Sequence, residues 1–240
     1  MPKSTLLRTI LPGRRSLVLM AFFSASVLSA QFRDAIHSIR VHGEIESNGR
    51  TLNFSQVTKG QNHIRASILA PDGSVSVTVF FNQDKIYLEE DLPDNKSVRE
   101  LSGEDAAAYL LDLLALNPAY HFRPNNGFNL RHPIFEGFSL EIKRVEASDP
   151  SDQDESSEQI RPIEQLRLID LSVERDPILR TIRYLENFPE GKHGQTPRKI
   201  AFTDNSTGEG GTITLKDYNY NVGLPYFLFK PEGISSDSYK

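Results

Sequence analysis

The residues best suited to proton transfer or metal ligation near neutral pH are six histidines, at positions 37, 42, 63, 121, 132 and 193. None stands at a ligand spacing from another, and the chain has no cysteine. Thiolate zinc sites, a cysteine nucleophile, disulfides and a lipid-modified cysteine are therefore excluded, and the histidines read as ordinary strand and loop residues. No Gly-x-Ser-x-Gly elbow, phosphate-cradling loop or dinucleotide fingerprint is present. Gly208-Glu209-Gly210-Gly211 is glycine-rich, but it falls between two strand patterns and opens no helix, so it reads as a hairpin turn. Asp149, Asp152, Asp154, Glu155 and Glu158 crowd carboxylates of the kind calcium prefers, without the EF-hand glycine and terminal glutamate at their spacing. Paired carboxylates for glycoside hydrolysis would meet only in the fold. The chain lacks the tryptophan on which sugars commonly stack. The expectation is a protein that is not an enzyme, with no metal and no cofactor.

The elements that would have to position any site begin after residue 30. Lys3, Arg8, Arg14 and Arg15 form a basic start with no acid, followed by an apolar run from Leu17 to Ala30. That is the layout of a secretory signal peptide, cleaved after Ser29 or Ala30. The run is about 14 residues, short of the about 20 that a spanning helix needs. Removing the four basic residues from 27 leaves 23 against 32 acidic ones, a formal charge of −9. Such a surface argues against nucleic acid or an anionic bilayer as the main partner. Residues 31–240 then form a single domain, long enough for one sizeable core.

Phe32, Ala35, Ile36 and Ile39 share one face of a short amphipathic helix. From Val41 the apolar period becomes two: Val41, Gly43 and Ile45, a turn at Asn48-Gly49, then Leu52 and Phe54. Ile64, Ala66 and Ile68 continue it, and Pro71-Asp72-Gly73 turns the chain into Val75, Val77, Val79 and Phe81. Ile86, Tyr87 and Leu88 complete a five-strand meander. A helix follows, capped by Ser102 with Asp105 as a capping box, striped by Ala107, Leu110, Leu111 and Leu114, and stopped at Asn117-Pro118. Residues 118–134 read as irregular, and strands resume at Phe138, Leu140 and Ile142. Residues 148–161 form an acidic loop too polar to bury. Further strands fit 163–172, 178–188, 198–204 and 212–220. The fold class is mainly β with some α: about ten antiparallel strands in a strongly curved sheet or unclosed barrel around a few helices.

Fourteen Phe and eight Tyr, many on alternating strands, must face something. A filled core and an apolar cavity both satisfy the pattern, and periodicity does not separate them.

Two stretches resemble the LolA-like family of periplasmic lipoprotein-carrier proteins. One runs from Thr212, Ile213, Thr214 and Leu215 through Asn221 to Leu224, then Tyr226-Phe227-Leu228-Phe229-Lys230-Pro231-Glu232-Gly233-Ile234. It is similar to the family's closing strand, Asn-x-x-hydrophobic step and final Phe-x-Phe-x-Pro-x-Gly-Val/Ile, with Phe227 and Phe229 at the aromatic positions. The other runs from Gly43-Glu44-Ile45 through Lys59, Asn62 and Arg65 to Pro71-Asp72 and Asn82 to Tyr87. It resembles the family's Gly-x-Leu, Lys-x-Pro-Asn-x-x-Arg, Pro-Asp and Asp-Gly-x-x-x-Trp/Tyr succession. The family's carriers place an arginine beside that Pro-Asn to hold a lid closed. The matching positions here are Gly60 and Gln61, so the latch is not carried over.

The resemblance implies an unclosed antiparallel barrel with helices as a lid over an apolar cavity for acyl chains, in the periplasm, or secreted if the source is not bacterial. Ile45, Phe54, Ile64, Ile68, Val77, Val79, Ile200, Phe202, Ile213 and Leu215 would line the sheet's concave face, with Leu110, Leu111 and Leu114 on the covering helix. The implied partner is a lipid or lipoprotein acyl chain, with a membrane-bound donor or acceptor protein and no nucleic acid. The alternative on the same fold is a non-enzymatic sensing or partner-binding module of the envelope.

Overall fold

Asn48 and Gly49 both take positive φ, 50° and 71°, as a two-residue hairpin twisted to match its strands requires. They join β1 (Ser38–Ser47) to β2 (Arg50–Lys59) in register, with Ser47 opposite Arg50 and Ile45 opposite Leu52. The chain continues through β3 (His63–Leu69), β4 (Val75–Asn82), β5 (Lys85–Leu92) and β6 (Asn95–Leu101), and Gln83 takes positive φ, 61°, in the two-residue β4–β5 turn. The computed structural model describes residues 36–70, 72, 74–92, 95–122, 132–145, 162–189 and 196–231. The expected signal peptide and acidic loop, and His193, lie outside them.

After β6 come helix α1 (Gly103–Ala115), a single turn α2 (Pro118–His121) and a 3-10 turn at Pro133–Phe135. The second half is β7 (Phe138–Arg144), β8 (Ile163–Asp170), β9 (Ile178–Asn187), β10 (Pro197–Asp204) and β11 (Gly210–Tyr220), with a last 3-10 turn at Tyr226–Phe229. All eleven strands form one antiparallel sheet in the order β6-β5-β4-β3-β2-β1-β11-β10-β9-β8-β7. The first and last of the described strands pair in its middle, Ile45 opposite Ile213, so the two halves of the sheet join there. From His37 onward the described residues make a compact unit of their own.

The curvature follows from α1. This one helix touches β5 and also β8 and β9, strands near opposite edges of the sheet. Laid flat, β5 and β8 would be about 38 Å apart. The helix is about 20 Å long and about 10 Å across. The sheet must therefore curl around it. Among the described residues its edge strands β6 and β7 do not pair with each other, so the barrel is unclosed.

Several local expectations need correction. Ile39, expected on a helix, lies in β1, where its 1% exposure reflects the sheet's inner face rather than a helical stripe. The first five strands form as read, but β6 follows them. Its sequence, NKSVREL, is too polar for its alternation to show. Ser102 occupies the N-cap of α1 in an extended conformation, yet its side chain makes no cap bond, so the capping box is not formed. Residues 118–134, expected irregular, include α2 and a 3-10 turn, each started by a proline whose missing N–H is no loss in a first turn. Gly208 turns at φ 74° as expected, but Gly210 and Gly211 belong to β11.

Candidate functional site

Opposed residues in an antiparallel ladder point to the same face, so the register identifies one inner face across the sheet. Ile45, Phe54, Ile64, Ile68, Val77, Val79, Ile200, Phe202, Ile213 and Leu215 all fall on it. Leu110, Leu111 and Leu114 of α1 are fully buried. The strand set therefore shares a single surface, and the helix residues sit in the interior that this surface encloses.

Burial varies from strand to strand along the inner face. The turns β1–β2, β3–β4, β8–β9 and β10–β11 stand at one end of the barrel, because Ser47 pairs with Gly211 and Asp204 with Arg180. Near this rim Leu52, Ile68, Val77, Phe202 and Ile213 are only half-buried. Directly beside them in the ladder, Ile45 and Ile200 opposite Ile213, and Phe54 opposite Ile68, are buried, as are Leu215 and Val79, at 1–8% exposure. Further from the rim, Ile64, Phe81 and Ile86 are closed to solvent, as are Leu166 and the α1 residues Leu110, Leu111 and Leu114. The result is a partly open apolar rim beside residues closed to solvent.

Two glycines shape the mouth. A Cβ at Gly43 would lie 2.5 Å from the Thr214 carbonyl oxygen, so glycine there permits the close approach of β11 where the β1 register shifts. At Gly211 a Cβ would lie 2.8 Å from the Phe202 ring, so the bare backbone makes room for that ring at the rim.

Three rim turns share one device. Asp72, Asp170 and Asp204 each accept bonds from the backbone N–H and hydroxyl of the serine two residues on, Ser74, Ser172 and Ser206. Those serine hydroxyls are the main reason that all three carboxyls titrate below their ordinary range.

Polar groups of the inner face hold the C-terminal half of α1. The last carbonyls of a helix have no intrahelical donor. Here the Gln56 amide donates to Leu113 O at 3.1 Å, the Tyr184 hydroxyl to Ala115 O at 2.9 Å and the Tyr218 hydroxyl to Leu116 O at 2.7 Å. Burial raises both tyrosines well above the usual range, so they stay neutral donors. Arg180 of β9 grips Asp112 with two bonds, Nε to Oδ1 at 3.1 Å and Nη2 to Oδ2 at 2.5 Å, and reaches Asp204 at 3.4 Å. Burial lifts the Asp112 carboxyl above its ordinary value against the pull of Arg180. Burial also opposes the charge of Arg180, but Asp112 and Asp204 outweigh it and raise its pKa.

Sequence reasoning missed this clamp. Gln56 alone left a signal, because the alternation from Phe54 to Thr58 puts a polar residue inside. Arg180 and Asp112 gave none, since only the fold joins them. His121 is the other surprise: it is fully buried, neither ring nitrogen has a hydrogen-bond partner, and burial pushes its pKa down to about 3. Among the described residues no group of three or more His, Asp or Glu is placed to hold a metal. No helix there is long and apolar enough to cross a membrane.

The architecture is thus an unclosed antiparallel β-barrel wrapped on a helix, with an apolar mouth and a polar clamp on that helix. It is similar to three solved structures. One is a LolA superfamily protein from Nitrosomonas europaea, at 13% identity and TM-score 0.47, over 82% of this chain and 90% of that one. The second is a putative outer membrane lipoprotein-sorting protein domain from Vibrio parahaemolyticus, at 12% and 0.49, over 83% and 94%. The third is a DUF1329 family protein from Desulfovibrio piger, at 12% and 0.49, over 88% and 96%. No family model and no curated protein matches the chain. At such identities the likeness is one of fold, and function must be argued from the site.

Proposed function

We propose that this protein is a non-enzymatic, exported carrier that takes up the acyl chain of a lipid or lipoprotein through the apolar mouth of its barrel. The observation that carries this reading is the partly open apolar inner face near the rim. Half-buried Leu52, Ile68, Val77, Phe202 and Ile213 adjoin buried Ile45, Phe54, Val79 and Leu215 on that face. A methylene moved from water onto such a surface gains about 0.8 kcal/mol, so a chain of about ten methylenes needs no polar anchor. Ile64, Ile200, Leu110, Leu111 and Leu114 would line the inner end once the helix or its neighbours gave way. Residues 1–30 serve as the export signal, the periplasm is the working compartment, and a membrane-bound protein donates or accepts the cargo.

The clamp supports a second reading. α1 is fixed by several polar bonds and its stripe Leu110, Leu111 and Leu114 is already closed to solvent, which supports a filled interior. A filled barrel would recognise an envelope partner by its surface instead. Purified residues 31–240 decide between them by native mass spectrometry, organic extraction and displacement of a fluorescent fatty acid. The carrier reading expects a bound or exchangeable acyl chain whose binding is lost in Ile68→Asp, at a half-buried position that leaves the melting transition in place. A protein that binds no apolar probe leaves the partner-binding reading.

A further inference from the structure

Tyr226 and Phe227 are the most exposed large apolar residues described, at 60% and 72%. Single exposed hydrophobics need no explanation. These two are adjacent, and they are held rather than loose. They occupy the 3-10 turn Tyr226–Phe229, which packs on β3 and β4. Phe229 is fully buried and Leu224 nearly so. The Lys59 ammonium donates to Leu224 O at 2.7 Å and lies 3.6 Å above the Tyr226 ring. His63 meets Tyr226 and Phe229 edge-on, at 5.2 and 5.8 Å. Leu228 N–H closes the turn on Pro225 O at 3.2 Å. The fold thus fixes a proline and two aromatics outward.

The chemistry around them is selective. From Val222 to Pro231 there is no acidic residue, although the chain as a whole is acidic, and Lys59 and Lys230 flank the turn. The exposed parts of the two rings come to about 260 Å². A stable protein interface needs about 800 Å² from each partner. Aromatic rings beside lysines are, in contrast, the usual residents of the lipid–water interface. We infer that the Tyr226–Phe227 turn is a shallow docking point on an anionic phospholipid surface, with the rings at headgroup depth and the positive charge of Lys59 and Lys230 behind them. The acidic remainder of the protein keeps the contact weak and reversible. This surface is separate from the barrel mouth and does not depend on the acyl-chain reading.

The chain has no tryptophan, so Phe227→Trp installs a reporter at this one place. Residues 31–240 carrying F227W are mixed with vesicles of phosphatidylethanolamine and phosphatidylglycerol, or of phosphatidylcholine alone. The expected result is a blue shift on the anionic vesicles, diminished by salt and smaller on the neutral ones. In flotation, F227S is expected to bind anionic vesicles about tenfold more weakly than the unsubstituted protein. Its melting curve should not change, and neither should displacement of fatty acid at the mouth. An emission unmoved by any vesicle, or equal flotation of F227S, overturns the inference. So does a shift that grows with protein concentration without lipid, which would assign the turn to a second copy of the chain.

Discussion

The sharpest test of the interior is His121. Its imidazole is fully buried without a hydrogen-bond partner, and its pKa is about 3 in the folded protein. In the unfolded chain a histidine titrates near 6.5. The folded state therefore holds it neutral, while the unfolded state binds a proton as pH falls through that value. Stability contributed by the neutral form is intact above about pH 6.5 and is lost progressively toward about pH 3, where the folded state also protonates. With 1.36 kcal/mol per pH unit, the loss from this residue is about 2 kcal/mol at about pH 5 and about 3 kcal/mol at about pH 4. His121→Leu removes the titration and two unsatisfied nitrogens at similar volume. Urea unfolding of both proteins, followed by far-ultraviolet circular dichroism across this range, isolates the term because all other groups cancel. At alkaline pH the variant should equal or exceed the parent, since an unsatisfied buried polar group costs about 1–3 kcal/mol. On acidification its advantage should widen by about 2 kcal/mol at about pH 5 and about 3 kcal/mol at about pH 4. A gap independent of pH would refute the argument, because it would mean that His121 titrates alike in both states.

Arg180→Ala strands the Asp112 carboxylate and should cost about 2 kcal/mol, at the low end for a broken ion pair because Asp112 keeps some contact with solvent. Asp112→Asn in the same chain should recover part of that loss, and a double-mutant cycle in urea measures the coupling. Tyr218→Phe removes the donor to Leu116 O and Pro197 O and should lower stability by about 1–2 kcal/mol. Thermal melting would show this. Gly43→Ala should cost about 1–3 kcal/mol, because its Cβ would collide with the Thr214 carbonyl and β11 must move away. Faster amide exchange across the β1–β11 ladder is the check.

Much of the sheet was legible because its alternation is nearly unbroken. Ile45, Phe54, Ile64, Ile68, Val77 and Val79 share a face through register alone, and turn residues such as Asn48-Gly49 fix that register locally. Strand β6 escaped because Lys96, Arg99 and Glu100 mask its period, as an edge strand's charges do. Ile39 was misread because a spacing of three and four over few residues is shared by helices and by strands that begin mid-pattern. The clamp was illegible for a different reason. Asp112 and Arg180 are 68 residues apart in sequence, and each is unremarkable until the barrel curls.

The clamp reaches the mouth at β9, where Arg180 stands opposite Asp204 of a rim turn, and that overlap limits how a ligand could be admitted. The C-terminal half of α1 is tied by Arg180, Gln56, Tyr184 and Tyr218, whereas its first residues, Gly103, Glu104 and Asp105, are exposed and Ser102 adds no side-chain bond. Opening at the C-terminal end would strand three donors and an ion pair in an apolar interior, each at a cost of about 1–3 kcal/mol. Opening the mouth beside β9 would also break the Arg180–Asp112 pair, whereas opening it among Leu52, Ile68 and Val77 would shift only half-buried side chains. On the acyl-chain reading, the first methylenes therefore enter among Leu52, Ile68, Val77, Phe202 and Ile213. The helix behaves as a fixed floor until enough apolar surface has been covered to offset the loss of its polar ties.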